Sequence, residues 1–497
     1  MEATAPVRHQ ARSGTVLARN VGALAGSQII TWCAGLAWAL FVPRALGATG
    51  TGVFTLSVAA SGILGVVVGL GTRPLLVREI SVDPSKASRL IPTAIVMRAI
   101  LSLPMLAFVG VFARLGNFDR EQVLALFLGW GVCFLFALFE PIQAGLQALE
   151  KMQFLAYSDI LTKTVVSLVS VALVVIGFRH ATDLLWLSVV VLSAVLILHV
   201  VWMRKYFTVD WRIRPEDLWS LTKRSLPYLG FAVFFTFYLW IDALMLGVMT
   251  PTKVLGWYGL PTKLFGTLMF IPVILSTAWL PRLSAAYLQG DKALWEAARG
   301  PLQVVVALSL PVCVGVVLVT PNLIKFLYGP DFLQSIPVMV VLALSVPPMY
   351  LNIMVNQVLI ARHQQMLWTK AMALACVVNP VLNLVFIPYF QNTRGNGAIG
   401  AAVSLLVTEI VLAGIGVAVI RGLFNRAFFA RLARAAVATA GMGLAVLAAR
   451  SLGLAPAILV GLIVYPILAI VLRVLSREEL AQLIEMVQSR RKVRVDS

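Results

Sequence analysis

The feature that most constrains this chain is a succession of apolar stretches, each long enough to cross a lipid bilayer as a helix. A membrane-spanning helix needs about 20 mostly apolar residues. Fourteen stretches of this kind follow one another along the 497 residues. We therefore predict an all-α integral membrane protein with about 14 transmembrane helices. The predicted spans are residues 16–42, 52–72, 90–113, 122–146, 154–177, 183–203, 226–249, 256–280, 301–320, 336–360, 366–390, 398–420, 435–450 and 456–474.

The composition argues against a soluble enzyme. Hydrophobic residues make up 60% of the chain and charged residues 12%, whereas about 25% of the residues in a soluble domain are charged. The four cysteines all lie inside apolar stretches without a C-x-x-C pair, and the four histidines lack the spacing of metal ligands. We expect no disulfide framework, no metal, no cofactor and no catalytic activity.

The distribution of basic residues predicts the orientation in the membrane. The formal net charge is +19, which in a soluble protein would indicate nucleic-acid binding. When the loops between the predicted spans are assigned alternately to two sides, the side that carries both termini has 29 Lys and Arg residues and the other has 8. Positive charge collects in cytoplasmic loops. We therefore predict that both termini are cytoplasmic and that no nucleic-acid partner is involved.

Short sequence echoes about 200 residues apart indicate an internal repeat. Gly52 and the two residues after it resemble the segment that begins at Gly256, and the segments at Asp83 and Asp291 also match. Repeats of six spans share one orientation, and two such lobes are typical of transporters that work by alternating access. We predict a cytoplasmic tail (1–15), an N-lobe (16–203), a cytoplasmic interfacial linker (204–225), a C-lobe (226–420), two extra C-terminal helices (421–474) and an amphipathic basic tail (475–497).

Two hydrophilic segments have the start signals of helices lying on the membrane surface. In the first, Pro215 is followed by Glu216 and Asp217, an order that suits the first turn of a helix. In the second, Ser476 and Glu479 form a capping box ahead of an apolar face and a basic end. That tail helix either contacts anionic lipid head groups or is simply solvated.

Several motifs resemble the bacterial polysaccharide flippases of the O-antigen type, within the multidrug, oligosaccharidyl-lipid and polysaccharide exporter superfamily. The main match is the segment NPVLNLVFIP at 379–388, then GAIGAA at 397–402, then Thr408 and Glu409. Weaker matches at 44–54, 69–80, 242–258 and 281–284 extend the resemblance over roughly residues 16–420.

This resemblance implies a V-shaped fold of two helical lobes in the bacterial cytoplasmic membrane. It also implies export of an oligosaccharide on an undecaprenyl-diphosphate type of lipid carrier, for cell-surface polysaccharides such as O-antigen or exopolysaccharide. Whether the chain also acts with a polysaccharide polymerase stays open.

Seven ionisable residues lie inside the predicted spans, where each costs about 2.5–3.5 kcal/mol on insertion scales. Equal depth in consecutive spans predicts that Glu140 pairs with Lys163 and that Asp242 pairs with Lys263. These pairs are either structural or functional, because buried charges are normally paired.

Arg98 and Glu409 have no partner at the same depth in the sequence. Arg98 is therefore the first candidate for a phosphate contact, and we expect Lys263 to take the phosphate over later in transport. Glu409 is the candidate coupling site for H⁺ or Na⁺, or else a protonated carboxyl bonded within the protein interior. Asp159 is a further candidate for ion coupling or ion pairing.

Four uncharged polar residues within the spans are candidates for lining a sugar path. Residues of this kind more often hydrogen-bond to neighbouring helices, and both interpretations remain open. They are Asn20, Gln28, Asn379 and Asn383.

Two other functions compete with the flippase. A cation-coupled multidrug antiporter of the same superfamily fits four interior acids set against three bases. A polytopic glycosyltransferase or ligase uses the same lipid carrier, but it needs a large external loop with catalytic residues. The longest predicted external loop has only about a dozen residues, which disfavours this second alternative.

Overall fold

The computed structural model describes residues 6–474, with side chains except at residues 6–25, 29, 231, 277 and 278. Within that range the chain folds into helices joined by short turns and contains no strand. The chain divides into two compact units, the first ending at Val248 and the second beginning at Met249. The predicted lobe boundaries stay predictions, although helix α8, defined below, groups almost entirely with the first unit.

The first unit contains eight α-helices and one π-helical turn. They are α1 (Pro6–Gly69), α2 (Thr72–Val82), α3 (Ala87–Leu115), α4 (Arg120–Ala148), α5 (Met152–Asp159), the π-helical turn Ile160–Val165, α6 (Val166–Ile176), α7 (Ala181–Tyr206) and α8 (Pro215–Met249).

The second unit contains nine α-helices within its described residues. They are α9 (Thr252–Leu268), α10 (Phe270–Tyr287), α11 (Asp291–Tyr328), α12 (Ser335–Leu344), α13 (Val346–Ala361), α14 (Gln365–Arg394), α15 (Gly397–Val419), α16 (Arg426–Ala449) and α17 (Leu454–Val471).

The helices account for the predicted membrane spans. Twelve helices of the described chain are long and apolar enough to cross a membrane, or thirteen when the bent pair α12 and α13 counts as one span. The sequence predicted two spans within α1, and α1 consists of two helical segments joined by a kink at Gly47, where the backbone is not helical. Gly47 lies between those two predicted spans and has a φ of 67°, a left-handed conformation that glycine adopts readily. Each of the fourteen predicted spans overlaps helical residues of the described chain, and the prediction of an all-α membrane protein is confirmed.

One of the two predicted surface helices lies within the described residues. Helix α8 begins at Pro215, as the sequence predicts, and the Asp217 side chain accepts a hydrogen bond of 3.1 Å from the Arg214 N–H. The helix then continues without interruption into an apolar span. The capping box at Ser476 and Glu479 lies outside the described residues.

Helix α2 is amphipathic, and its apolar face belongs to the core of the first unit. Leu76 and Ile80 are completely buried against Ile91 of α3, Ile142 of α4 and Leu221 of α8. Full burial of a side chain of this size contributes about 1.5–3 kcal/mol. This packing fixes the rotation of α2, so its polar residues lie on the other face.

In the second unit, α16 and α17 pack against α11 through small residues. Ala307 of α11 and Ala435 and Ala438 of α16 are buried together, and small side chains let helices approach closely. The Tyr465 hydroxyl of α17 donates a hydrogen bond of 3.1 Å to the Ala307 carbonyl. The two extra C-terminal helices are therefore an integral part of this unit.

Helices α14 and α15 also approach each other closely, at the sequence GAIGAA. A Cβ atom added at Gly400 would collide with the carbonyl of Phe386 and the backbone nitrogen of Ile387. Backbone atoms cannot move aside as a flexible side chain can, so only glycine fits here. The small residues of this motif thus let α14 and α15 come into backbone contact at Gly400.

Ion pairs join the polar face of α2 and the start of α3 to the first turns of α8. Glu79 forms ion pairs with Arg224 and with Lys86, the latter at 3.4 Å. Arg89 pairs with Asp217 at 2.9 Å. The hydrogen bond from Arg224, followed by that from Lys86, holds the pKa of the Glu79 carboxyl below its ordinary value of 4.5. Because a lowered pKa means that folding favours the charged form, ionised Glu79 stabilises this contact between helices.

We predict that replacing Glu79→Gln removes a pH-dependent part of the stability. A group with a lowered pKa stabilises the fold above its unfolded pKa, and this stabilisation is lost as the pH falls through the folded pKa. At about pH 7 the variant should therefore be less stable, by up to about 1 kcal/mol for a partly exposed pair. The two proteins should converge once the pH has fallen below the lowered pKa of the Glu79 carboxyl. Thermal unfolding of detergent-solubilised protein across this pH range measures the difference, and a difference independent of pH would contradict the prediction.

Candidate functional site

The candidate site of the first unit begins at the junction between α1 and α2. Leu70 and Gly71 both have left-handed backbones, with φ of 47° and 66°, so α1 ends there and α2 starts in a new direction. The Arg98 side chain of α3 occupies this junction. Its guanidinium donates hydrogen bonds of 3.2 and 2.6 Å to the Thr72 hydroxyl and one of 3.2 Å to the Ala137 carbonyl. Arg98 therefore holds the α1–α2 junction, α3 and α4 together.

Arg98 also forms an ion pair with a carboxylate on α4. Its Nη1 atom lies 2.5 Å from Oε2 of Glu140. The other Glu140 oxygen, Oε1, lies 3.6 Å from Nη1 of Arg73 on α2. Arg73 in turn donates a hydrogen bond of 3.2 Å from Nη2 to Oε1 of Gln147. We refer to Arg73, Glu140 and Arg98 as the charge cluster.

Exposure increases along the charge cluster. The Arg98 side chain is 1% exposed, that of Glu140 16% and that of Arg73 39%. Two guanidinium groups share one carboxylate, so the cluster carries one excess positive charge. Because Arg98 is buried and bonded to Glu140, the accessible part of that excess charge is the Arg73 guanidinium. Arginine presents its N–H groups as a planar fork that fits phosphate and carboxylate oxygens.

The structure changes the predicted partners of these residues. Glu140 was predicted to pair with Lys163, and Arg98 had no predicted partner, but the two pair with each other. The hairpin of α3 and α4 explains this, because Arg98 precedes the end of α3 at Leu115 by 17 residues and Glu140 follows the start of α4 at Arg120 by 20. The same depth argument, applied to spans 3 and 4 instead of 4 and 5, would have found the pair.

Lys163 and Asp159 form a separate ion pair on one helical segment. Their charged atoms lie 3.3 Å apart, and both side chains are exposed. Asp159 directly precedes the π-helical turn Ile160–Val165 and Lys163 lies within it, and π-helical turns occur frequently at functional sites. The two residues are therefore available for contacts with other groups, and the role predicted for each stays a prediction.

In the second unit, Glu409 lies in a buried polar contact. Its side chain is nearly completely buried on α15, and the Asn352 amide of α13 donates hydrogen bonds of 2.7 Å to Oε2 and 3.1 Å to the backbone carbonyl. The amide satisfies a buried carboxyl group in either protonation state, at least in part. The coupling role predicted for Glu409 stays a prediction.

The predicted sugar-path residues of the second unit bond to each other. Asn383 donates a hydrogen bond of 3.0 Å to Oδ1 of Asn379, one turn earlier in α14, and both side chains are completely buried. This observation favours hydrogen bonding within the protein over contact with a sugar. Gln28 is half-buried on α1, and the side chain of Asn20 lies outside the described part.

The predicted pair of Asp242 and Lys263 consists of one residue from each unit. Asp242 is buried on α8, whereas Lys263 is exposed on α9. The two side chains belong to different units, and their pairing stays a prediction.

Arg73, Thr72 and Gln147 are the site residues that sequence reasoning missed. Arg73 was counted among the loop charges between predicted spans 2 and 3, because only interior charges were considered as candidates. The available signal was the apolar repeat of Leu76 and Ile80, which indicates a helix in that loop and therefore a fixed position for Arg73.

We predict that the buried part of the charge cluster is essential for stability. Arg98→Gln leaves Glu140 without its closest partner, and breaking a buried ion pair on one side costs about 3–5 kcal/mol. The double variant Arg98→Met with Glu140→Met should lose less than the sum of the two single variants, because neither charge is left unpaired. Thermal unfolding in detergent measures all of these.

The control for that prediction is Lys163→Gln, which breaks the exposed ion pair with Asp159. It should cost less than about 1 kcal/mol. Equal losses of stability in Arg98→Gln and Lys163→Gln would show that Arg98 does not hold the fold together.

Comparison with known proteins places this geometry in a family context. A family model described as polysaccharide biosynthesis protein matches residues 17–286, more than half of the chain. No curated protein sequence matches the chain. The fold is similar to a solved structure described as the lipid II flippase MurJ in an inward closed conformation, with a TM-score of 0.72, 13% identity, and coverage of 91% of this chain and 98% of the other.

A second similar structure is described as the inward-facing conformation of a multidrug resistance MATE family transporter of the MOP superfamily. Its TM-score is 0.64 at 15% identity, and the match covers 80% of this chain and 95% of the other. Identities this low establish the fold. These two structures are described as a flippase and a transporter.

Proposed function

This chain belongs to the polysaccharide biosynthesis protein family, and from that premise we propose that it is a flippase for a lipid-linked oligosaccharide. The substrate moves from the inner to the outer leaflet of the bacterial cytoplasmic membrane, by alternating access, during the synthesis of a surface polysaccharide. The description of one structural relative as a lipid II flippase supports a lipid-linked substrate. We also propose that both termini of the chain lie in the cytoplasm.

The observation that carries the proposal is the excess positive charge of the charge cluster. A lipid diphosphate bears about two negative charges near pH 7, and its oxygens match the forked donors of arginine. Arg73 has the required exposure, and it lies outside the helices long enough to span the membrane. The diphosphate contact first assigned to Arg98 therefore passes to Arg73 in this proposal.

The distances within the charge cluster explain how Arg73 can accept a substrate. Glu140 lies 2.5 Å from Arg98 but 3.6 Å from Arg73, and 3.6 Å exceeds the length of a hydrogen bond. A diphosphate can therefore bind Arg73 while Glu140 stays bonded to Arg98. The buried ion pair keeps its partners, and the substrate does not have to separate it.

The same distances weigh against a cation-coupled drug antiporter. That alternative relied on four interior acids facing a cationic drug. Two of them are held by basic partners, since Glu140 contacts Arg98 and Asp159 contacts Lys163. Asp242 and Glu409 are buried and are proposed here for coupling to H⁺ or Na⁺. Lys163 and Lys263 are proposed as later contacts of the diphosphate.

We predict that Arg73→Gln lowers export of the lipid-linked glycan roughly tenfold or more, because one charge-assisted forked contact is worth about 1.5–3 kcal/mol. Arg73→Lys should restore part of the export, because lysine offers a single charged group instead of a fork. Surface glycan is measured in a strain that lacks other flippases, at matched levels of membrane protein.

The matched control is Arg114→Gln, which removes an exposed arginine from the last turn of α3. It should leave export within about twofold of the wild type, since this arginine has no place in the charge cluster. Normal export by Arg73→Gln would refute the assigned contact. Loss of toxic-cation resistance without loss of glycan export would favour the antiporter.

A further inference from the structure

A second polar site lies in the first unit, away from the charge cluster. It is a cavity of about 440 Å³ between the polar face of α2, the start of α3 and the first turns of α8. Cavities that hold small molecules have volumes of roughly 300–1,000 Å³. Its walls combine three basic, two acidic and four hydroxyl side chains with two leucines. They are Glu79, Ser85, Lys86, Ser88, Arg89, Leu90, Thr93, Asp217, Ser220, Leu221 and Arg224.

The basic groups of this cavity have unused hydrogen-bond donors. Arg89 makes one ion-pair contact with Asp217, and Arg224 and Lys86 each make one with Glu79. A guanidinium has five N–H donors and an ammonium has three, so most of the donors remain available. Between 42% and 53% of each basic side chain is exposed. The lining carries three positive and two negative charges, an excess of one positive charge.

The two acidic groups, in contrast, already accept hydrogen bonds from basic side chains or from the backbone. Arg224, followed by Lys86, lowers the pKa of Glu79. The Arg214 N–H is the main cause that lowers the pKa of Asp217, and Arg89 adds to it. Carboxylates whose charged form is already stabilised have little reason to recruit a cation. The lining therefore favours an anionic ligand.

One hydroxyl group of the lining is also available. The hydroxyl groups of Ser88 and Thr93 donate to backbone carbonyls, and that of Ser85 donates to Asp83. Ser220 lies on α8, is exposed, and makes no side-chain hydrogen bond within the described residues. It can therefore donate to an oxygen of a ligand held by Arg89 and Arg224.

We propose that this cavity binds a phosphate-bearing anion through Lys86, Arg89, Arg224 and the Ser220 hydroxyl. Phosphate oxygens match several converging N–H donors, whereas a carboxylate or chloride would use fewer of them. The phosphate belongs either to the head group of an acidic lipid or to a soluble phosphorylated compound. The helices that form the cavity, α2 and the first turns of α8, lie at the predicted cytoplasmic surface, where anionic lipid head groups are also found. This site does not rest on the proposed flippase activity.

The test measures binding of inorganic pyrophosphate to the full chain in an uncharged detergent. All proteins carry Arg73→Gln, so that the charge cluster does not contribute its exposed arginine. The cavity variant adds Lys86→Gln and Arg89→Gln, which leaves Glu79 paired with Arg224. The protein with Arg73→Gln alone is the parent, and we expect it to bind pyrophosphate. We expect the cavity variant to bind pyrophosphate roughly tenfold more weakly, because it loses two charge-assisted contacts.

A matched control removes the same amount of charge outside the cavity. It adds Arg204→Gln and Arg212→Gln, two exposed arginines of the first unit that do not line the cavity. The control should bind within about twofold of the parent. Ser220→Ala, which removes only a hydroxyl, should weaken binding by roughly threefold to tenfold. This single variant keeps the proposal testable if the cavity variant does not fold.

A second arm of the test distinguishes the two sources of phosphate. The parent and the cavity variant are reconstituted in nanodiscs of phosphatidylglycerol or of phosphatidylcholine, and retained lipid is counted by native mass spectrometry. Selective retention of phosphatidylglycerol by the parent, lost in the cavity variant, identifies a lipid head group. Pyrophosphate binding without selective retention identifies a soluble ligand. If the cavity variant and the control behave alike in both arms, the cavity is not an anion site.

Discussion

The ion pair between Arg98 and Glu140 is the interaction on which the structure of the first unit depends. A guanidinium this deeply buried is tolerated only when a carboxylate and further acceptors satisfy it. Arg98 meets that requirement with Glu140 of α4, the Thr72 hydroxyl of α2 and the Ala137 carbonyl. These bonds connect three helices at the point where α1 ends. They also hold the start of α2 in place directly after the two left-handed residues Leu70 and Gly71.

Two polar sites follow from the fixed position of α2. Its apolar face is buried through Leu76 and Ile80, so its polar face is held in one orientation. At the start of α2, Arg73 reaches Glu140 and Gln147 and remains partly exposed. Near its end, Glu79 joins α2 to α8 through Arg224. One short helix outside the spans thus places the excess charge of the proposed diphosphate contact and one wall of the phosphate cavity.

The sequence predicted the fold more completely than the site. A membrane-spanning helix needs a long apolar stretch, which can be read directly along the chain, so the spans were found. The start of α8 was found because Pro215, Glu216 and Asp217 are a local signal for the first turn of a helix. Ion pairing depends on which helices pack together. The partner of Glu140 was predicted in the following span, at Lys163, whereas it lies in the preceding helix, at Arg98. Arg73 was missed because its loop contains a helix, and the burial of Asn379 and Asn383 could be learned only from the packing of α14.

The most direct test of the central claim changes the charge beside Arg73 without removing Arg73. Gln147 accepts a hydrogen bond from this arginine, and Gln147→Glu keeps the shape while it neutralises the excess positive charge of the charge cluster. The measurement is the dissociation constant of undecaprenyl diphosphate in detergent, with Gln147→Met as the uncharged control. We expect binding roughly tenfold or more weaker in Gln147→Glu and within about threefold of the wild type in Gln147→Met. Equal affinities in the two variants would contradict the assignment of the diphosphate to Arg73.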